Sequence, residues 1–229
     1  MRRSIILVLP LLCLLTCLAV GQDVAPCGGR LPAWNAPENL ADVTAQLVRY
    51  HDFGQYEYEI GQVTHAAMPY VDRRTKEAKP DERLAAVFDI DETALSNWAK
   101  MLDCGFCAYK IQDKLYGDAP DPAIPSVLEL FKYAAARGVK MFFITGRPES
   151  QRGMTTKNLT DVGYSGWEDL IMRPNGNTDP ATVFKSARRR AIADKGYTIM
   201  INVGDQASDL AGCCAERTFK LPNPFYLVP

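Results

Sequence analysis

Asp89 and Asp91 are carboxylates two positions apart, directly after the apolar run Leu84-Ala85-Ala86-Val87-Phe88. Thr145-Gly146-Arg147 follows a second apolar run, Val139 to Ile144. Gly204-Asp205 follows a third, Tyr197 to Val203, with Asp209 four residues beyond Asp205. Lys185 stands near the start of a helical pattern. Carboxylates gathered in one place repel one another and raise each other's pKa unless a cation neutralises them. A hard divalent cation meets that need, and Mg²⁺ is commonly held by one or two carboxylates, phosphate oxygens and waters. A bound phosphate then needs donors and positive charge, which Thr145, the backbone around Gly146 and Lys185 can supply. Arg147 either fixes the loop after the second run or reaches the leaving group of a substrate.

This chemistry requires far-apart stretches to converge. Each apolar run is short and continuous, as in strands buried on both faces. Between them lie helical patterns, Ile124 to Arg137 and Ala181 to Lys195. Strands alternating with helices predict an α/β fold, a Rossmann-like parallel sheet with helices on both faces. In such a sheet ligands bind where the carboxyl ends of the strands line one edge, which is where all three runs deliver their polar groups. Ahead of the sheet, three- and four-residue steps of Tyr56, Ile60, Val63, Ala67, Tyr70 and Val71 predict a helix from about Glu38 to Lys79, stopped by Pro80, with its aromatic stripe in the core. Residues 98–122 fit neither period and predict a small cap insert over the site. The expected organisation is a helical extension with an irregular leader over 22–83 and a core over 84–229.

Met1-Arg2-Arg3 and the apolar run Ile5–Val20 read as a secretory signal, cleaved after Gly21. The run falls short of the ~20 residues a spanning helix needs. A lipid anchor at Cys17 is the weaker alternative, because Thr16 is a poor residue before an acylated cysteine. Export, periplasmic or secreted, permits disulfides. Cys27, Cys104, Cys107, Cys213 and Cys214 survive cleavage, an odd number. The Cys104/Cys107 pair forms either a local bridge or one partner for Cys213 or Cys214. Zinc fits poorly, since the chain has two histidines and neither lies near these cysteines. A net charge of −1 gives no reason to expect a nucleic-acid polymer as partner, and no other apolar stretch could span a bilayer. Arg188-Arg189-Arg190 reads as a solvated helix face.

Asp89-x-Asp91-x-Thr93 resembles the nucleophile motif of the haloacid dehalogenase (HAD) superfamily. More narrowly, the chain is similar to its acid phosphatase branch, which includes plant vegetative storage proteins and bacterial lipoprotein acid phosphatases. The matching segments run in order: Val87–Thr93 with Ser96-Asn97; Thr145-Gly146-Arg147 with Glu149; Asn158-Leu159; Lys185-Ser186; Gly204 to Leu210; and Arg217 to Pro224. The resemblance implies that Asp89 attacks phosphorus and forms an aspartyl phosphate. It implies that Asp91 protonates the leaving oxygen and then deprotonates the attacking water. Thr145 and Lys185 would bind the phosphoryl oxygens, and Mg²⁺ would rest on Asp89, the backbone carbonyl of Asp91, Asp205 and Asp209. The pattern departs after Asn97, where relatives often carry a Pro-Tyr-Tyr-like segment and this chain reads Trp98-Ala99-Lys100 before its cysteine pair. Trp98, Phe106 and Tyr109 either stack on an aromatic leaving group or pack within the cap.

The expected activity is Mg²⁺-dependent hydrolysis of small phosphomonoesters. The competing readings are a catalytically weak storage or binding protein of the same fold, and a 5′-nucleotidase-like lipoprotein phosphatase. A silent storage member would be expected to lack its nucleophile, and Asp89 is present. His51 and His65 lack the Arg-His context of histidine phosphatases, and Cys213-Cys214 lacks a phosphate loop ending in arginine.

Overall fold

The three apolar runs become three adjacent strands at the centre of a five-stranded parallel sheet. The computed structural model describes residues 37–107 and 120–228. The signal segment, Cys17, Cys27, the leader to residue 36 and Tyr109 lie outside the described residues. Strands β1 (Arg83–Phe88), β2 (Lys140–Pro148), β3 (Asp169–Arg173), β4 (Tyr197–Gly204) and β5 (Ala215–Lys220) lie in the order β3-β2-β1-β4-β5. β1 is thus central, flanked by β2 and β4, and the carboxyl ends of all three open on one edge.

Helices cover both faces, as the alternation predicts. Ala86 and Phe88 of β1 pack with Met141 and Phe143 of β2 under α2 (Gln55–Lys76), α4 (Pro125–Ala135) and α5 (Arg152–Asp161). Ala85 and Val87 point the other way, with Phe142 and Ile144, onto Phe184 and Ile192 of α6 (Ala181–Asp194). An irregularity in the β1–β4 pairing makes Ala85 face Ile199 and Ala86 face Ile201. The extra residue, Met200, turns β4 over, so that Ile199 packs beneath α6 while Ile201 and Val203 join the opposite core.

The N-terminal extension is two helices, not the continuous one expected. α1 (Leu40–Asp52) ends at Phe53, and Gly54 adopts the left-handed conformation at φ 80° before α2 begins. A glycine tolerates that backbone without steric cost, which makes it the natural break point. α2 ends at Lys76, capped by Glu77 three residues before Pro80, and Glu82 turns back onto Lys79. Tyr56, Ile60, Ala67 and Val71 are buried as predicted, while Tyr70 turns out to Glu216 on β5. No helix among the described residues is long and apolar enough to cross a membrane.

Within the insert, α3 (Trp98–Asp103) is followed by the local bridge Cys104–Cys107. Cys213 and Cys214 are bonded to each other, which settles the open choice for Cys104. The arginine triplet is a solvated face only in part: Arg190 is exposed, but Arg189 is only 1% exposed. Its guanidinium donates to the carbonyls of Asp209, Ala211 and Cys213, so the loop after β4 supplies the acceptors that make the burial tolerable.

Candidate active site

Asp89 is the first residue beyond β1, where its N–H donates to the Val203 carbonyl of β4 at 3.0 Å. Its carboxylate is buried, and Oδ1 accepts from Lys185 Nζ at 2.5 Å. The same ammonium donates to Asp209 Oδ1 at 2.5 Å. Lys185 lies in the first turns of α6 with its stem in the core, so the helix that closes one face of the sheet also delivers the cation to its edge. Asp209 belongs to the short helix α7 (Ala207–Leu210), where its Oδ2 accepts the Gln206 N–H at 2.7 Å in a capping box. Gly204 makes this possible. A Cβ there would lie 2.4 Å from Asp209 Cβ and 2.6 Å from its Oδ2.

Asp205 completes the group. Its Oδ1 accepts from Thr93 Oγ1 at 2.9 Å, and its Oδ2 from Gln206 Nε2 and Asn223 Nδ2, both at 2.7 Å. Asp89, Asp205 and Asp209 each offer a carboxylate oxygen within 4.8 Å of the others. Burial, then the charge of Asp209, pushes Asp89 well above the usual carboxylate range and Asp205 up to about 6. For Lys185 the attraction of Asp209 and Asp89 outweighs the cost of burial and raises its pKa. Three clustered carboxylates with one ammonium among them leave negative charge unbalanced on hard oxygen donors. That donor set suits a divalent cation of the Mg²⁺ or Ca²⁺ type.

Asp91 lies beside this cluster, close enough for its charge to act on Asp89. Arg147 grips it through Nε at 3.1 Å and an η nitrogen at 2.7 Å, and Asn97 Nδ2 donates to its Oδ1 at 2.9 Å. Burial alone would raise this carboxyl, but the charge and hydrogen bonds of Arg147 more than offset it and hold the group below the ordinary range. Its side chain remains 19% exposed, so a ligand can reach it. Arg147 also contacts Asp121 at 3.3 Å, and Lys100 of α3 pairs with Asp121 at 2.6 Å. Of the two roles left open for Arg147, the geometry therefore favours holding its surroundings, with Asp91 as the group it holds.

Thr145 is fully buried, and its Oγ1 accepts the Arg147 N–H at 3.0 Å. Pairing of β2 with β3 slips between Ile144 and Pro148, which bends Thr145, Gly146 and Arg147 out of the regular ladder. Trp98 and Phe106 pack rather than stand open. Trp98 stacks on His51 at 3.8 Å, and Trp98 and Phe106 each contact Phe225. Sequence reasoning assigned no role to Glu92, Asn97, Asp121, Gln206, Asn223 or Tyr226, although several lie inside the motifs it singled out. Glu92 is buried at φ 52°, accepts the Asn97 N–H at 2.6 Å and the Tyr226 hydroxyl, and is pushed up to about 8 by burial and by Asp91 and Asp205.

The model of the HAD superfamily, subfamily IIIB (acid phosphatase), matches residues 28–229. The chain belongs to this family. Acid phosphatase 1 of Solanum lycopersicum is 36% identical over 207 residues, covering 86% of this chain and 78% of that protein. Vegetative storage protein 2 of Arabidopsis thaliana is 32% identical over 180 residues, 76% and 67% of the two chains. The class C acid phosphatase from Bacillus anthracis superposes with a TM-score of 0.68 at 22% identity, covering 82% of this chain and 86% of that one. The HAD fold expected from the resemblance is therefore correct, and membership of subfamily IIIB supports phosphoric monoester hydrolysis.

Proposed function

We propose that this acid phosphatase hydrolyses small phosphate monoesters through a phosphoaspartate on Asp89, assisted by Mg²⁺. The observation that carries the reading is Asp89 at the end of the central strand, 2.5 Å from Lys185 and clustered with Asp205 and Asp209. Asp89, Asp205 and Asp209, with the Asp91 carbonyl, would hold the cation. When bound, it supplies positive charge to the phosphoryl oxygens. Thr145 and Lys185 bind the same oxygens, with Gly146 leaving the backbone open beside them. An Asp89 carboxylate oxygen forms a bond to phosphorus as the phosphorus–leaving oxygen bond breaks, and Asp91 gives that oxygen its proton. Water then attacks phosphorus, Asp91 takes its proton, and inorganic phosphate leaves with Asp89 restored. Arg147 holds Asp91 in place between these steps.

The protein acts after export, directed by residues 1–21, on small phosphate esters. Relatives that include vegetative storage proteins raise a second reading, a storage protein with residual catalysis. The retained set of Asp89, Asp91, Lys185 and Asp205 supports the enzyme. Asp89→Asn should lose at least about a thousandfold in turnover of 4-nitrophenyl phosphate and give no acid-stable phosphoprotein after quenching. Full activity in that variant, or in chelated wild type, would refute the proposal; a wild type without measurable turnover would favour storage.

A further inference from the structure

The segment after β5, Leu221–Val228, contacts both halves of the site. Asn223 Nδ2 donates to Asp205 Oδ2 at 2.7 Å, while its Oδ1 accepts the Phe225 and Tyr226 N–H groups at 2.9 and 3.4 Å. This Asx-type turn aims the amide at the carboxylate. Tyr226 donates its hydroxyl to Glu92, which accepts the Asn97 N–H at 2.6 Å, and the Asn97 amide donates to Asp91 Oδ1 at 2.9 Å. Phe225, packed against Tyr56, Trp98 and Phe106, anchors the turn. Beyond it, the Val228 N–H donates to Gln206 Oε1 at 3.0 Å, and Gln206 donates to Asp205.

We propose that this segment is a positioning strap for the site: Asn223 orients Asp205 toward the divalent cation, and Tyr226, through Glu92 and Asn97, orients Asp91 toward the leaving oxygen. The inference rests on the functional reading above. Thr93, Gln206 and Asn223 are neutral donors. They fix the plane of the Asp205 carboxylate without cancelling its charge, which stays available to a cation. Removing such outer partners of a ligating carboxylate weakens metal binding by about 10–100-fold. Asp91 is gripped by Arg147 on one side and Asn97 on the other. Asn97 is itself held by Glu92, whose second oxygen Tyr226 occupies, so the strap sets where the proton donor points.

The test compares Asn223→Ser and Tyr226→Phe with wild type in the full chain. Serine keeps a short acceptor for the turn but cannot reach Asp205. Calorimetric titration with Mg²⁺ should show binding weakened about tenfold or more in Asn223→Ser, with an activity loss that excess Mg²⁺ reverses. Tyr226→Phe should bind Mg²⁺ as wild type does. Its kcat/KM should fall about tenfold further for an alkyl phosphate than for 4-nitrophenyl phosphate, whose phenolate leaves without a proton. Wild-type Mg²⁺ affinity in Asn223→Ser, or equal losses on both substrates in Tyr226→Phe, overturns the strap. Should Asn223→Ser fail to fold, the substrate comparison in Tyr226→Phe decides alone. Failure of the underlying reading shows separately, as a wild type that binds no Mg²⁺.

Discussion

Replacing Lys185 by methionine keeps the apolar stem and removes the charge that lies between Asp89 and Asp209. In the absence of a divalent cation, two buried carboxylates with oxygens within 4.8 Å then face each other unscreened. At an effective dielectric of about 20, unit charges at that separation repel by about 3 kcal/mol. That agrees with the ~3–5 kcal/mol typical of breaking a buried ion pair. For a chain of this size each kcal/mol lowers the melting temperature by about 2–4 °C, so chelated Lys185→Met, destabilised by about 3–5 kcal/mol, should melt about 6–20 °C below chelated wild type. The pH dependence follows from the direction of the Asp89 shift. Burial and Asp209 already raise its folded pKa, and loss of Lys185 raises it further. Between the unfolded value near 4 and the raised folded value, the folded state binds more protons than the unfolded one, so stability falls as pH rises. Compared at about pH 4 and about pH 7, the variant should therefore be the more stable at the lower pH. Mg²⁺ at about one hundred times its Kd should return about 2.7 kcal/mol, while kcat stays down by about 10²–10³ for want of the donor to phosphate. Differential scanning calorimetry with chelator or Mg²⁺ measures the stabilities, and turnover of 4-nitrophenyl phosphate measures kcat. A chelated variant that melts with wild type at both pH values, or gains stability as pH rises, would refute the reasoning.

Arg147→Met removes the charge that holds Asp91 low, leaving burial to raise it. The pH at which kcat/KM declines on the alkaline side should move upward, because the proton donor stays protonated longer; a pH–rate profile checks this. Gly204→Ala forces a Cβ into the Asp209 side chain. It should cost about 1–3 kcal/mol of stability and weaken Mg²⁺ binding, as read by denaturation and by calorimetric titration. Arg189→Met strands the Ala211 and Cys213 carbonyls and should cost about 3 kcal/mol or more in urea denaturation, with Asp209 still tethered by Asn202.

β1, β2 and β4 were legible because strands buried on both faces read as continuous apolar runs. β3 and β5 were not. They lie at the sheet edges, and β5, Ala-Glu-Arg-Thr-Phe-Lys, is mostly exposed, so it offers no apolar run to detect. Asp89, Asp205 and Thr145 could be found because the end of a buried parallel strand is a position that sequence can specify. Asn223 could not, since its partner lies 18 residues back and the contact depends on a turn that only packing defines. The same holds for Tyr226 and Glu92, 134 residues apart. Arg189 was misread because a burial satisfied by backbone carbonyls leaves no mark on residue types. The break at Gly54 was missed because the periodic residues, Tyr56 to Val71, all lie beyond it and carry no mark of the turn.

The edge strand β5 has a consequence for how copies of the chain behave when crowded together. Its exposed side chains include Glu216, Arg217 and Lys220, and Arg74 and Tyr70 of α2 clasp Glu216. An incoming strand would have to strip water from these charges before it could pair. This border of the sheet is thus guarded against pairing with a strand of another copy.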